Sequence, residues 1–209
     1  MPPPMELVIT AVHPKTLKKE DETCAVFLPH ELFAELAKVD KFRELFPVEN
    51  LETFWSRAEE TGDERLVSHP MKGAQWKKYT IPLFIHGDGV QYASTNSLMV
   101  YSWGGLLTCF QSLQSKFLLA CYPKNCTAEE TWPRIMQEVC WSFAALLKGT
   151  WPTHNSSNKP LKKGDRGYEE KGKPLANGFK GVLWCVMGDA EFFCKFLTLG
   201  PLGFQEPLL

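Results

Sequence analysis

The sequence predicts a mixed α/β fold, on three observations. From residue 80 onward the order of patterns is strand, strand, strand, helix, strand, helix. Two of the strands, 80–90 and 180–188, are apolar runs without clean alternation, the pattern of strands covered on both faces. Between them lies a long amphipathic helix over 127–148 with one continuous apolar stripe.

The elements follow in order. Residues 1–23, Pro-rich and then Lys- and Glu-rich, are expected to be a disordered tail. Residues 24–78 are expected to be a helical region and its connector. Leu32, Phe33, Leu36, Phe42, Leu45 and Phe46 fall near helical spacing, Pro47 interrupts them, and Asn50 is placed to cap a second helix ending near Gly62. A main domain over 79–199 opens with Ile81-Pro-Leu-Phe-Ile-His-Gly-Asp-Gly-Val90, followed by strands at 97–103 and 117–122. In the long helix Trp132, Ile135, Met136, Val139, Cys140, Phe143, Leu146 and Leu147 form the stripe, Thr127 and Glu130 match a capping box, and Gly149 suits the C′ position. A polar loop over 150–179 carries Lys162, Lys163 and Arg166 as candidate phosphate contacts, although interleaved acids also fit a plain solvated loop. Residues 200–209 are expected to be a tail.

Composition narrows the function classes. The chain has 209 residues, 44% hydrophobic and 22% charged, with a formal net charge of -1, so no global field draws it to nucleic acid. Seven cysteines, an odd number without a Cys-x-x-Cys pair, fit reduced, buried thiols in the cytoplasm or nucleus. Cys121, Cys126 and His86 match no standard zinc spacing. No apolar run reaches the roughly 18 residues of a membrane span, and the N-terminus lacks the form of a signal peptide. A Ser-His-acid hydrolase using His154 lacks the nucleophile elbow.

The chemistry-bearing candidates are Asp88 and Asp189, each at the end of an apolar strand. Two carboxylates on rigid strand ends suit a divalent cation, Mg²⁺ or Mn²⁺. Such ions clamp the oxygens of a phosphoryl transfer roughly 4 Å apart. Each aspartate also has a plain reading, Asp88 as a Gly-Asp-Gly turn residue and Asp189 as a helix N-cap. His86, two residues before Asp88, and Glu138, on the long helix, are auxiliary candidates, although Glu138 is expected to face solvent.

The order of elements is that of the ribonuclease H-like fold, in which the first and fourth strands are neighbours and each ends in a metal-binding carboxylate. Leu28-Pro-His-Glu-Leu-Phe, Phe54-Trp, Pro82-Leu-Phe-Ile-His-Gly-Asp-Gly-Val, Tyr101-Ser-Trp-Gly and Gly188-Asp-Ala-Glu-Phe-Phe193 are similar to segments of an uncharacterised protein family abundant in dinoflagellate genomes. More distantly, the chain resembles the transposase domains of eukaryotic cut-and-paste elements such as the Plavaka-like group. That resemblance implies DNA as partner and a strand-cleaving enzyme with three acids, with Asp88 and Asp189 as the first two. Glu191 and Glu206 are the acids left for the third role, neither well placed, so the triad is expected to be incomplete and the domain truncated. The rival expectation is a non-catalytic binding or structural protein.

Overall fold

A computed structural model describes residues 1–39, 41–92, 96–189 and 192–193. Its first element corrects the expected tail. Met5–Val12 (β1) and Lys19–Val26 (β2) pair antiparallel, from Met5 opposite Val26 to Val12 opposite Lys19. Leu7, Ile9 and Ala11 alternate along β1 and are buried, as are Cys24 and Val26 on β2. The two-residue period turns one face of this charged hairpin into core.

Four helices follow: Pro29–Leu36 (α1), Phe42–Leu45 (α2), Leu51–Glu60 (α3) and Trp76–Tyr79 (α4). Asn50 precedes α3 but makes no side-chain cap bond. The helical region shares the core of the sheet and is not a separate preface. Phe46 stacks on Trp103 of the sheet, and the buried Trp55 indole donates to the Thr80 carbonyl at 2.7 Å.

The sheet contains Thr80–Gln91 (β3), Ser97–Gly105 (β4), Phe117–Pro123 (β5) and Lys180–Gly188 (β6), in the order β5-β4-β3-β6. A short helix, Ser112–Ser115 (α5), precedes β5. β3, β4 and β5 form an antiparallel meander, and β6 returns parallel to β3. The expected mixed α/β architecture is therefore present, with β3 and β6 as parallel neighbours.

The crossover to β6 contains Thr131–Lys148 (α6), ended by Gly149 at φ 74. The capping box does not form: Glu130 makes no side-chain cap bond, and the Thr127 hydroxyl donates to the Lys124 carbonyl at 2.8 Å. α6 covers the sheet face that carries Leu83. A Cβ on Gly181 would lie 2.6 Å from Leu83 and 3.4 Å from Leu146 of α6. Tyr101, paired with Gly87 in the register, packs on Trp132 of α6 at 4.4 Å. Residues 81, 83, 85 and 87 thus share the α6 face, and His86 and Asp88 point to the other one.

Among the described cysteines, Cys24 is buried whereas Cys109, Cys121 and Cys140 are exposed, so the expectation of buried thiols holds for only part of the set. Among the described residues no helix is long and apolar enough to cross a membrane.

Candidate functional site

Asp88 lies inside β3, not at its end. The strand continues to Gln91 and pairs Asp88 with Val100, so the Gly-Asp-Gly segment is extended chain and not a turn. Gly87 answers a packing need, whereas the neighbour of Gly89 is the movable end of a lysine. A Cβ on Gly87 would lie 2.2 Å from the Phe192 ring, and one on Gly89 would lie 2.5 Å from the Lys124 Nζ.

Asp189 follows β6 directly. The last register pair of β3 and β6 is Gly87 with Gly188, so Asp88 and Asp189 hold the next position on neighbouring parallel strands. Strands in such a pair run about 4.8 Å apart. Both aspartates are exposed. Asp189 also does what its plain reading expects: its Oδ1 accepts the Phe192 N–H at 2.7 Å. An ionised carboxylate accepts through two oxygens, so this bond uses only part of its capacity.

His86 joins the pair electrostatically. It is half-buried, and burial is the main cause that holds its pKa below the ordinary histidine value. Lys116 acts in the same direction, whereas Asp88 and Asp189 both pull the other way. One end of the sheet therefore gathers His86, Asp88 and Asp189. Two carboxylates suit a Mg²⁺ ion that keeps most of its waters. Among the described residues no group of three or more His, Cys, Asp or Glu is arranged to hold a metal, neither His86 with Asp88 and Asp189 nor Cys121, Cys126 and His86.

The other sequence candidates lie elsewhere. Glu138 is buried rather than solvent-facing, and its Oε1 accepts from Arg134 and from the Ser156 hydroxyl, each at 2.6 Å. It stands on α6, across the sheet from the face of Asp88, so it does not complete a triad with that residue. Arg166 is not an open phosphate contact. Its guanidinium grips Glu31 through two nitrogens and donates to the carbonyls of Pro3 at 2.5 Å and Pro4 at 3.1 Å. Lys162 and Lys163 are exposed on the same loop. Glu191, Glu206, the tail at 200–209 and most of the helix expected after Asp189 lie outside the described residues.

Sequence reasoning missed a second cluster. A cavity of about 280 Å³ lies between α1, α6 and the 150–179 loop, with His30, Glu31, Glu138, Arg134, Trp141 and Trp151 in its walls. The His30 backbone N–H donates to Ser142 Oγ at 2.9 Å, and its Nδ1 lies 2.7 Å from the same oxygen. Burial, with a contribution from Arg166, pushes the His30 pKa down to about 3, so the ring is neutral. One signal was available: Glu138 and Ser142 are polar residues bordering the α6 stripe, four apart and hence on one flank.

Comparison with known proteins yields no matching family model, no curated relative and no solved structure. The functional reading therefore rests on geometry and chemistry.

Proposed function

We propose that the chain is a ribonuclease H-like domain derived from a mobile-element transposase. In this reading Asp88 and Asp189 form a two-carboxylate site for Mg²⁺ or Mn²⁺, with little or no DNA strand-transfer activity. The observation that carries it is the strand arrangement: β6 returns parallel to β3, and the residues after the last register pair are Asp88 and Asp189. The crossover that carries α6 runs from β5 to β6 and brings β6 back beside β3, in the element order of that fold.

The chain's own groups have definable parts. Asp88 is an exposed carboxylate on a rigid central strand, which fixes its position better than a loop would. Asp189 is oriented by the Phe192 N–H, leaving its second oxygen for a cation. A bound divalent ion would supply charge stabilisation to a phosphoryl oxygen. No third acid joins the pair among the described residues, which is the reason to expect weak activity.

One observation favours the non-catalytic alternative: the Asp189 bond to Phe192 gives that carboxylate a purely structural reason to be present. Two measurements separate the readings. Mn²⁺ should broaden the His86 imidazole resonances in wild type and not in Asp88→Asn. Any Mg²⁺-dependent nicking of supercoiled plasmid should disappear in Asp88→Ala. Equal broadening and equal nicking in wild type and variants would remove Asp88 from the chemistry and leave the binding or structural reading.

A further inference from the structure

The cavity beside α6 has no part in the carboxylate pair, and its chemistry is different. Four of its charged side chains are closed on one another. Glu31 is held by Arg166, and the remaining Arg166 donors go to the Pro3 and Pro4 carbonyls. Arg134 Nη1 is shared between Glu138 Oε1 and Gln137 Oε1. An anionic ligand would find both arginines already paired; Asp165, also in the wall, accepts the Lys162 backbone N–H at 2.7 Å.

What remains is neutral and directional. Ser142 Oγ accepts the His30 backbone N–H and has no other acceptor for its proton among the described residues, so that proton goes to His30 Nδ1. The neutral ring then carries its hydrogen on Nε2. That Nε2 has no partner among the described residues, and neither does Glu138 Oε2. Both side chains are more than nine-tenths buried and both line the cavity. Neither atom is sealed off as an orphaned buried group, so each is open to a partner that enters the cavity.

Two tryptophans also stand in the wall. Trp141 and Trp151 stand nearly perpendicular to the His30 ring, at 5.1 Å and 85° and at 5.3 Å and 80°. The Trp141 indole is fixed by its bond to the His154 carbonyl at 2.9 Å.

We propose that this cavity binds a planar, uncharged nitrogen heterocycle of the nucleobase class. The ring stacks on an indole, accepts from His30 Nε2–H and donates an amino or imino N–H to Glu138 Oε2. Every base offers a π face to an aromatic side chain, and each carries both a donor and an acceptor on its edge. A hydrocarbon ligand would leave His30 and Glu138 unpaired. At about 280 Å³ the space is at the small end for ligand pockets and takes one base rather than a stretch of strand. The base could come from a free nucleoside or from a single strand.

The test titrates the whole chain with adenosine, guanosine, cytidine and uridine, following tryptophan fluorescence and the indole N–H resonances. At least one nucleoside should bind saturably and shift the Trp151 indole signal, whereas ribose 5-phosphate should not. Glu138→Gln should weaken binding at least tenfold, and Asp88→Ala should leave it unchanged. The Asp88 arm keeps this idea separate from the metal-site reading. Competition by a short single-stranded DNA, lost when its central residue is abasic, would assign the base to a strand; lack of competition would assign it to a free nucleoside. If Glu138→Gln fails to fold, the wild-type indole shifts decide alone. The proposal is overturned if no nucleoside or base-bearing strand binds at millimolar concentration, or if the shifts avoid Trp141 and Trp151.

Discussion

Gly87 and Gly188 stand opposite each other in the parallel β3–β6 pair, and the Phe192 ring fills the space where both their Cβ atoms would be. In each case the nearest ring carbon would be 2.2 Å away, closer than any Cβ contact can be. Phe192 is fully buried and lies 5.8 Å from Tyr101. The two glycines make a slot, and the ring in it anchors the chain just after Asp189.

The slot gives the first prediction. Gly87→Ala or Gly188→Ala should each destabilise the protein by about 1–3 kcal/mol through overpacking. Phe192→Ala should cost about 3–5 kcal/mol through the cavity it leaves. Gly87→Ala combined with Phe192→Ala should cost less than the sum, since the clash is then gone. Urea midpoints of the four proteins check this.

Asp189 gives the second. Asp189→Ala removes the acceptor of the Phe192 N–H and should cost about 1 kcal/mol, whereas Asp189→Asn keeps an acceptor oxygen and should cost much less. If the site holds a cation, Asp189→Asn should still lose Mn²⁺ affinity. Chemical denaturation and Mn²⁺ titration of the two variants separate the structural role from the metal role.

The third prediction concerns Arg166 and Glu31. Glu31 is buried and Arg166 only partly so, hence removing the arginine leaves a carboxylate without its partner inside the protein. Arg166→Ala should destabilise by about 3 kcal/mol. Glu31→Gln together with Arg166→Met should be milder than Arg166→Ala alone, because no buried charge is orphaned. Thermal unfolding of the two variants and wild type reads this directly.

His30 gives a pH prediction with a definite sign. Its pKa is held near 3 in the folded chain and is 6.5 without the fold. Between those values the unfolded state binds a proton that the folded state refuses, so His30 opposes folding increasingly as pH falls from about 6.5 towards 3. The slope is at most about 1.4 kcal/mol per pH unit. His30→Gln should be less stable than wild type at pH 7, and the gap should narrow or reverse by pH 4. Urea unfolding of both proteins at pH 7, 6, 5 and 4 tests it; a constant gap would contradict the buried neutral ring.

Local regularities were legible. The α6 stripe, the Gly149 terminus and the apolar runs of β3 and β6 are periodic patterns between near neighbours, so they show in the residues alone. The β1 alternation of Leu7, Ile9 and Ala11 was equally present but was masked by flanking prolines and the charged partner strand. The parallel pairing of β3 with β6 was expected from element order, whereas the burial of Glu138 was not. Glu138 borders an apolar stripe, and only the loop residue Ser156, folded against it from 18 positions away, gives it a second donor in the interior.

The sequence by itself determined a mixed α/β chain with two apolar strands, one long amphipathic helix and an aspartate at each strand. Tertiary structure alone decided that residues 1–23 contribute a paired strand to the core, that Arg166 serves Glu31 rather than solvent, and that His30 and Glu138 share a cavity. The physical reason is range. Periodicity is set by which neighbours along the chain share a face, whereas burying a charge or a polar ring depends on partners brought from more than a hundred residues away, as Arg166 is to Glu31 and Ser142 is to His30.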